Sequence, residues 1–510
     1  MELVYLWVEG YKNIKRQGFN FSPRFICDYD EDSKELTIDE NDDYIENFFG
    51  DNINITAIVG KNGSGKSNLI LSILNRIYAD RETKNIIFVY LKDGVTTVYQ
   101  NGIPKLSTPN LEVIKLKNIL NQETYSLLID FSIGHIDFLN STKDYKKDYS
   151  LEPSRLYQSR GGDRTKIEPT SYNMNMKVNL LYFYFYIRKN KLESVLEVFN
   201  LPNFDKLLYK KVSRNGNALK EKRINDINRH KIFDIDFSEC KTSNQIEEKF
   251  SKDFSKNIID ISEEDLYKIE DLLIYVDLEM ESENKLTFSH LSSGQKTLLS
   301  YIGIILRTYL RFKKTEKHTF NIYIDEFETS LHPSWQKRFL DFLVKMLESL
   351  QITNDSIVNI IITSHSPFLL SDLPKENVIF LDTYDKDENS NQEEGNCKNV
   401  TKTTDINPFG ANIHTLLSDG FFMDDGLMGE FAKTKIQEIM DFLNNEKTIE
   451  EISIKENQVK KVIESIGEPF LKQKLLEMYY KKFKDEASKK ARKDELLAEQ
   501  KRIENELKKL

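Results

Sequence analysis

The sequence predicts an α/β protein: a mixed sheet with flanking helices, carrying a helical insertion and a helical C-terminal extension. Three stretches carry that reading. Ile55, Ala57, Ile58 and Val59 form a short apolar run that ends in a glycine-rich loop, and Leu69, Ile70, Ile73 and Leu74 follow it at helical spacing. Residues 320–324 and 357–363 are two further apolar runs, each closed by polar residues, which read as buried strands. Between and after them lie Leu298, Leu299, Ile302, Ile305 and Leu306, and later Leu471, Leu475 and Met478, all with helical periodicity.

The chain has 510 residues, enough for one large domain with insertions or for two to three domains. Hydrophobic residues make up 39% and charged residues 30%, so much of the chain is expected to be solvated helix and loop. A net charge of −10 argues against a protein that coats nucleic acid over its whole surface, although a local basic patch remains compatible with contact. Three cysteines, Cys27, Cys240 and Cys397, lie far apart without CxxC spacing. That usage suits a reducing cytoplasm and offers no zinc site. No secretory layout opens the sequence and no run of about 18 apolar residues occurs, so the expectation is a cytoplasmic chain with no membrane partner.

In order, residues 1–54 alternate apolar and polar (Leu3, Tyr5, Trp7, then Phe19, Phe21) and predict antiparallel strands. Gly60, four residues, then Gly65, Lys66 and Ser67 fit the phosphate-binding pattern G-x-x-x-x-G-K-[ST] in its required setting, between a strand and a helix. Backbone N–H groups of Asn62, Gly63, Ser64, Gly65 and Asn68 would line the hollow, Lys66 would meet the β- and γ-phosphates of ATP, and Ser67 would hold Mg²⁺. The start of the helix adds a partial positive charge. Runs at 86–91 and 125–131 predict further strands, completing a first lobe over 1–150.

Residues 151–285 read as a mostly helical insertion, with the apolar run 178–187 followed by Leu192, Val195, Leu196 and Phe199. Lys206, Lys210, Lys211, Arg214, Lys220, Lys222, Arg223, Arg229 and Lys231 form the basic stretch best suited to DNA phosphates; a solvated helix face is the competing reading. Over 286–383, Leu291-Ser292-Ser293-Gly294-Gln295 precedes a helix, and 320–324 ends in Asp325-Glu326. Asp325 suits a Mg²⁺ ligand, and Glu326 a base or positioner for attacking water. The strand 357–363 closes on Ser364-His365-Ser366-Pro367. Residues 384–404 are acidic and asparagine-rich and predict a flexible loop; 405–510 predict a helical, partner-docking region.

This ordered set resembles the ABC-type ATPase class that includes chromosome-maintenance heads, RecF and overcoming-lysogenization-defect nucleases. The spelling DEFETSLHPSWQ followed by ITSHSPF is similar to the last of these, and FGANIHTLLSDGFFMDDGLMGEFAKTKI resembles the tail of PtuA-type ATPases of Septu and retron-linked antiphage systems. The resemblance implies a signature turn at Ser292, Ser293, Gly294 and Gln295, a switch histidine at His365, and an interface loop at 328–333. It also implies a homodimer or higher even oligomer in which one copy's Lys66 site is completed by the other's Ser293 and Gly294. It further implies a glutamine that senses the γ-phosphate after the first lobe's strands, with Gln158 as one candidate and His135 as a substitute for it. Gly10-Tyr11-Lys12-Asn13-Ile14 matches a turn of DNA-linked members of the class. No nuclease site is expected in the chain itself. The implied function is an ATPase subunit that regulates a separate HNH-type nuclease; a repair or chromosome-maintenance ATPase is the alternative.

Overall fold

The computed structural model describes residues 1–78, 85–108, 111, 113–115, 124–130, 169–210, 231–240, 243–250, 254–272, 277–313, 318–329, 331–349, 356–386, 388–416, 430–451 and 456–483. The candidate residues His135 and Gln158, and the basic residues from Lys211 to Arg229, lie outside them. Two compact units divide the chain, residues 1–422 and 423–510.

In chain order the strands of the first unit begin with β1 (Glu2–Tyr11), β2 (Ile14–Asn20), β3 (Phe25–Asp30), β4 (Glu35–Glu40), β5 (Ile53–Gly60), β6 (Ile86–Lys92), β7 (Val95–Asn101), β8 (Val113–Lys115) and β9 (Thr124–Asp130). They continue with β10 (Phe204–Lys210), β11 (Lys231–Ile232), β12 (Ile235–Asp236), β13 (Ser255–Asn257), β14 (Asp277–Ser282), β15 (Thr319–Asp325), β16 (Ile357–Ser364), β17 (Val378–Thr383) and β18 (Cys397–Asn399). The principal sheet runs β18-β17-β5-β16-β15-β9, with β17, β5, β16, β15 and β9 parallel and β18 antiparallel at the edge. A second sheet, β2-β1-β6-β7-β8, is largely antiparallel. The fold is therefore a mixed α/β arrangement with flanking helices.

Side-chain alternation explains the layering. Ile58 of β5, Tyr323 of β15 and Ile361 of β16 point to one face, where they pack with Leu69, Ile70 and Ile73 of the helix Lys66–Tyr78 and with Leu3 and Phe19 of the second sheet. Ile55, Ala57 and Val59, with Ile322, Ile360 and Ile362, point to the other face, against the helices Pro169–Lys189, Ser293–Phe312 and Pro333–Ser349. Strands covered on both faces must be apolar throughout, which is why these stretches stand out in the sequence.

One polar rung crosses this apolar sheet. Asn54, Asn359 and Asn321 are level with one another on β5, β16 and β15. Asn54 Nδ2 donates to Asn359 Oδ1 at 2.9 Å, and Asn359 Nδ2 donates to Asn321 Oδ1 at 2.8 Å and to the carbonyl of Met1 at 2.9 Å. Buried amides must find partners, and a one-residue slip would strand all three, so the rung fixes the register. With the register fixed, Asp325, Thr363 and Ile58 lie side by side at the carboxyl ends of their strands.

One segment differs from expectation and another adds to it. Among its described residues the insertion carries the expected helices, Pro169–Lys189, Ser194–Val198, Ser243–Glu248 and Glu263–Leu272, and beside them β13-β10-β14 form an antiparallel sheet and β11 and β12 a short hairpin. Its long helix Pro169–Lys189 is part of the main core, packed so closely on Ser293–Phe312 that a Cβ on Gly303 would stand 1.9 Å from the Asn179 carbonyl. Residues 384–404 contain β18, and main-chain partners from β2 and its turn order them, in place of a flexible loop. Gln392 Nε2 donates to the Lys15 carbonyl (2.9 Å), Asn399 Nδ2 to that of Gly18 (2.7 Å), and the Cys397 N–H to that of Asn13 (2.8 Å). These bonds tie two side-chain amides and one backbone N–H of the segment to β2 and its turn, which is what an acidic, asparagine-rich composition alone does not reveal.

The second unit contains the helices Glu430–Leu443, Glu456–Ser465 and Pro469–Lys482. Ile439, Phe442, Val459, Ile463, Leu475 and Leu476 form their shared core. Lys482 closes the packing, its ammonium 4.3 Å above the Phe442 ring. The extension expected from 470 to 510 is described only to Phe483. No described helix is long and apolar enough to cross a membrane.

Candidate functional site

The glycine-rich loop leaves β5 at Gly60 and enters the helix Lys66–Tyr78 at Lys66. Gly60, Gly63 and Gly65 all have positive φ, at 153°, 82° and 103°. Gly60 is doubly required, because a Cβ there would lie 2.0 Å from the Leu381 carbonyl of β17. Asn62 and Gly63 are exposed at the loop's crest, whereas Ser64, Gly65 and Lys66 are buried. Lys66 Nζ curls back and donates to the carbonyls of Gly60 (3.0 Å) and Lys61 (2.9 Å). Burial pushes its ammonium down to about 8, opposed by the nearby carboxylates of Glu326, Asp325 and Glu328. A cation so placed gains from any polyanion that enters the hollow.

The turn Gly10–Ile14 braces this loop from outside. Asn13 Nδ2 donates to the Gly63 carbonyl at 2.9 Å, and Asn68 Nδ2 donates to Asn13 Oδ1 at 2.8 Å. Lys12 Nζ reaches Asn68 Oδ1 at 3.1 Å. On the other side, the Cβ position of Gly65 is 3.2 Å from Cys397 Cβ. The strap at 384–399 therefore presses on the loop through both Asn13 and Cys397. Burial raises the Cys397 thiol to about 12, so it acts as an apolar filler.

At the ends of the neighbouring strands, Ser67 Oγ donates to Asp325 Oδ1 at 3.1 Å. The Thr363 hydroxyl also donates to Asp325 Oδ1. Thr363 Oγ1 in turn accepts the Glu326 N–H at 3.0 Å, and the Thr363 carbonyl accepts the same N–H at 3.2 Å. These bonds hold Glu326 at a φ of 54°, a left-handed conformation that costs a non-glycine residue about 1–3 kcal/mol. Thr363 thus orients both acids at once, a role that an apolar run ending in Ile-Thr-Ser did not signal. Thr363→Val, which keeps the shape and removes the hydroxyl, is expected to lower stability by about 1–3 kcal/mol. Thermal melts check it.

His365 follows, partly buried. Burial, reinforced by the charge on Lys66, pushes its imidazole down to about 4, so it is neutral at pH 7. Between about 4 and the ordinary histidine value near 6.5 the unfolded chain binds a proton here that the folded chain does not. Stability should therefore fall as pH drops through that window and level off below it. Loss of this slope in His365→Gln, followed by urea midpoints across pH, is the expected outcome.

Ser292, Ser293, Gly294 and Gln295 form the cap of the helix Ser293–Phe312. The Ser292 N–H donates to Gln295 Oε1 at 2.8 Å and the Gln295 N–H to Ser292 Oγ at 3.2 Å, a reciprocal capping box. Gln295 Nε2 also donates to the Asn200 carbonyl at 2.8 Å. The structure thus brings together the loop at 60–68, Asp325, Glu326 and the 363–366 segment. The bonds of the Ser292–Gln295 turn run instead within itself and to Asn200.

Ser67 and Asp325 are hard oxygen donors suited to Mg²⁺, which prefers one or two protein carboxylate or hydroxyl ligands completed by phosphate and water. Among the described residues no group of three or more His, Cys, Asp or Glu side chains could hold a metal ion.

Known proteins share parts of this chain. It is 24% identical over 143 residues to the "Retron Vc95 probable ATPase" of Vibrio cholerae serotype O1 biovar El Tor, covering 27% of this chain and 24% of the relative. It is 29% identical over 111 residues to the "Retron Ec83 probable ATPase" of Escherichia coli, covering 21% and 19% respectively. The chain thus spans about a quarter or less of the length of these curated relatives. The solved structure of the recombination mediator protein RecF with ATP aligns with 71% of this chain and 94% of its own, at 16% identity and a TM-score of 0.25. At that score the fold stands on the strands described above. Residues 183–371, which contain the capped turn, Asp325, Glu326 and His365, match the family described as "AAA domain, putative AbiEii toxin, Type IV TA system".

Proposed function

We propose that this chain binds ATP with Mg²⁺, hydrolyses it between two copies of itself, and thereby controls a separate HNH-type nuclease in antiphage defence. The observation that carries the ATPase reading is the meeting of Ser67 with Asp325, with Glu326 next in sequence, directly behind a lysine-bearing glycine loop. Backbone N–H groups of residues 62–68 and the Lys66 ammonium would bind the phosphates. Ser67 and Asp325 would hold Mg²⁺, which neutralises charge on the phosphate oxygens. Glu326 would orient the attacking water and accept its proton, and neutral His365 would donate to the terminal phosphate.

The Ser292–Gln295 turn lies at a helix start, a natural anion site, and in the dimer reading it faces the nucleotide held by the second copy. The two retron-linked relatives, each named a probable ATPase, support the setting in defence; the nuclease partner is suggested by the resemblance of the tail to PtuA-type subunits. Phosphate release from ATP by the purified chain tests the first part. Co-purification of a nuclease encoded beside it, lost when residues 430–510 are deleted, tests the second. Contact with DNA through Lys206 to Lys231 belongs to the same proposal and is read out as salt-dependent binding weakened by charge reversal there.

A further inference from the structure

The segment 363–366 is held at four consecutive residues to Asp325, Glu326, Glu328 and Gln336, and Glu328, to which phosphate chemistry assigns no part, holds two of the four. Glu328 Oε1 accepts the His365 N–H, and Oε2 accepts the Ser364 hydroxyl at 3.0 Å. Ser364 Oγ then accepts the Ser366 N–H at 2.8 Å. The Ser366 hydroxyl donates to Gln336 Oε1 at 2.8 Å, and Gln336 Nε2 returns to the Leu331 carbonyl at 2.9 Å. With Thr363 bonded to Asp325 and Glu326, the two segments interlock from end to end.

A carboxylate is the right group for this place. Two donors arrive from one loop, and an ionised carboxyl is acceptor-only at both oxygens. Burial raises Glu328, and the bonds from His365 and Ser364 oppose that rise. Pinning a backbone N–H fixes the Cα of His365, and so fixes the point from which its imidazole reaches toward the nucleotide.

We propose that Glu328 is the positioning residue for His365, holding the histidine loop against the loop that carries Asp325 and Glu326 so that the imidazole meets the terminal phosphate of ATP. This rests on the ATPase reading. The test is a double-mutant cycle of Glu328→Ala and His365→Ala, measuring turnover of ATP and, separately, ATP affinity by displacement of a fluorescent analogue. Glu328→Ala should slow turnover roughly 10- to 100-fold, as a displaced catalytic group does, with no loss of affinity, since the carboxylate it removes near Lys66 would only repel phosphate. Combined with His365→Ala it should cause no further loss. Glu328→Gln, which keeps the shape and one acceptor, should lie in between, and carries the cycle if the alanine variant does not fold.

Losses that multiply in the double variant, or equal losses of affinity and turnover in Glu328→Gln, would overturn the positioning role while leaving the ATPase intact. A wild-type chain without turnover would instead remove the ATPase reading, and this one with it.

Discussion

Lys66→Ala is expected to abolish measurable ATP binding. The ammonium is a buried positive charge at the loop, and two charge-assisted contacts to phosphate correspond to about 3–6 kcal/mol, or roughly a 10²- to 10⁴-fold loss of affinity. The variant also loses the bonds from Nζ to the carbonyls of Gly60 and Lys61. A thermal shift on adding ATP, present in the wild type and absent here, is the measurement. A further signature follows from burial, which leaves Lys66 titrating at about 8. Phosphates would raise it again, so binding near pH 8 should take up a proton, visible as a buffer-dependent heat in calorimetry. A buffer-independent heat would place the phosphates elsewhere.

Glu326→Gln should do the opposite to occupancy. The glutamine retains the side chain's size and the backbone bonds to Thr363, but cannot take a proton from water, and loss of a general base typically slows turnover roughly 10²- to 10⁴-fold. ATP should remain bound, and size-exclusion chromatography with ATP should show a dimer that persists. Turnover at the wild-type rate would remove Glu326 from its role. A variant that binds ATP without assembling would separate nucleotide binding from dimer closure.

Much of this site could be read from the chain because its chemistry imposes local patterns. A phosphate hollow requires glycines at left-handed φ followed by lysine and a hydroxyl, and strands covered on both faces must be apolar up to the residue that leaves the sheet. Hence the positions of Lys66 and Ser67 behind the loop, and of Asp325, Glu326 and His365 at the strand ends, were legible, while their roles belong to the proposal. The supporting residues were not, since their meaning lies in partners far along the chain. Thr363 looks like any strand threonine until its hydroxyl is seen between Asp325 and Glu326. The same holds for residues 384–404, whose order depends on carbonyls at Asn13, Lys15 and Gly18 more than 370 positions away. The sheet within the insertion was hidden for a different reason. In β10, Phe-Asp-Lys-Leu-Leu-Tyr-Lys breaks the alternation that marks a strand.

The asparagine rung has a further consequence for how the molecule comes into being. Asn54 and Asn359 are separated by 305 positions, and both must be in place before β5 has its neighbour. Contacts between such distant parts are slow to find one another, so the first lobe waits, its apolar strand uncovered, until the ribosome has delivered β16. A newly made chain should therefore be blind to nucleotide and open to chaperones until its last third has emerged, and competence to bind should then arrive in a single step.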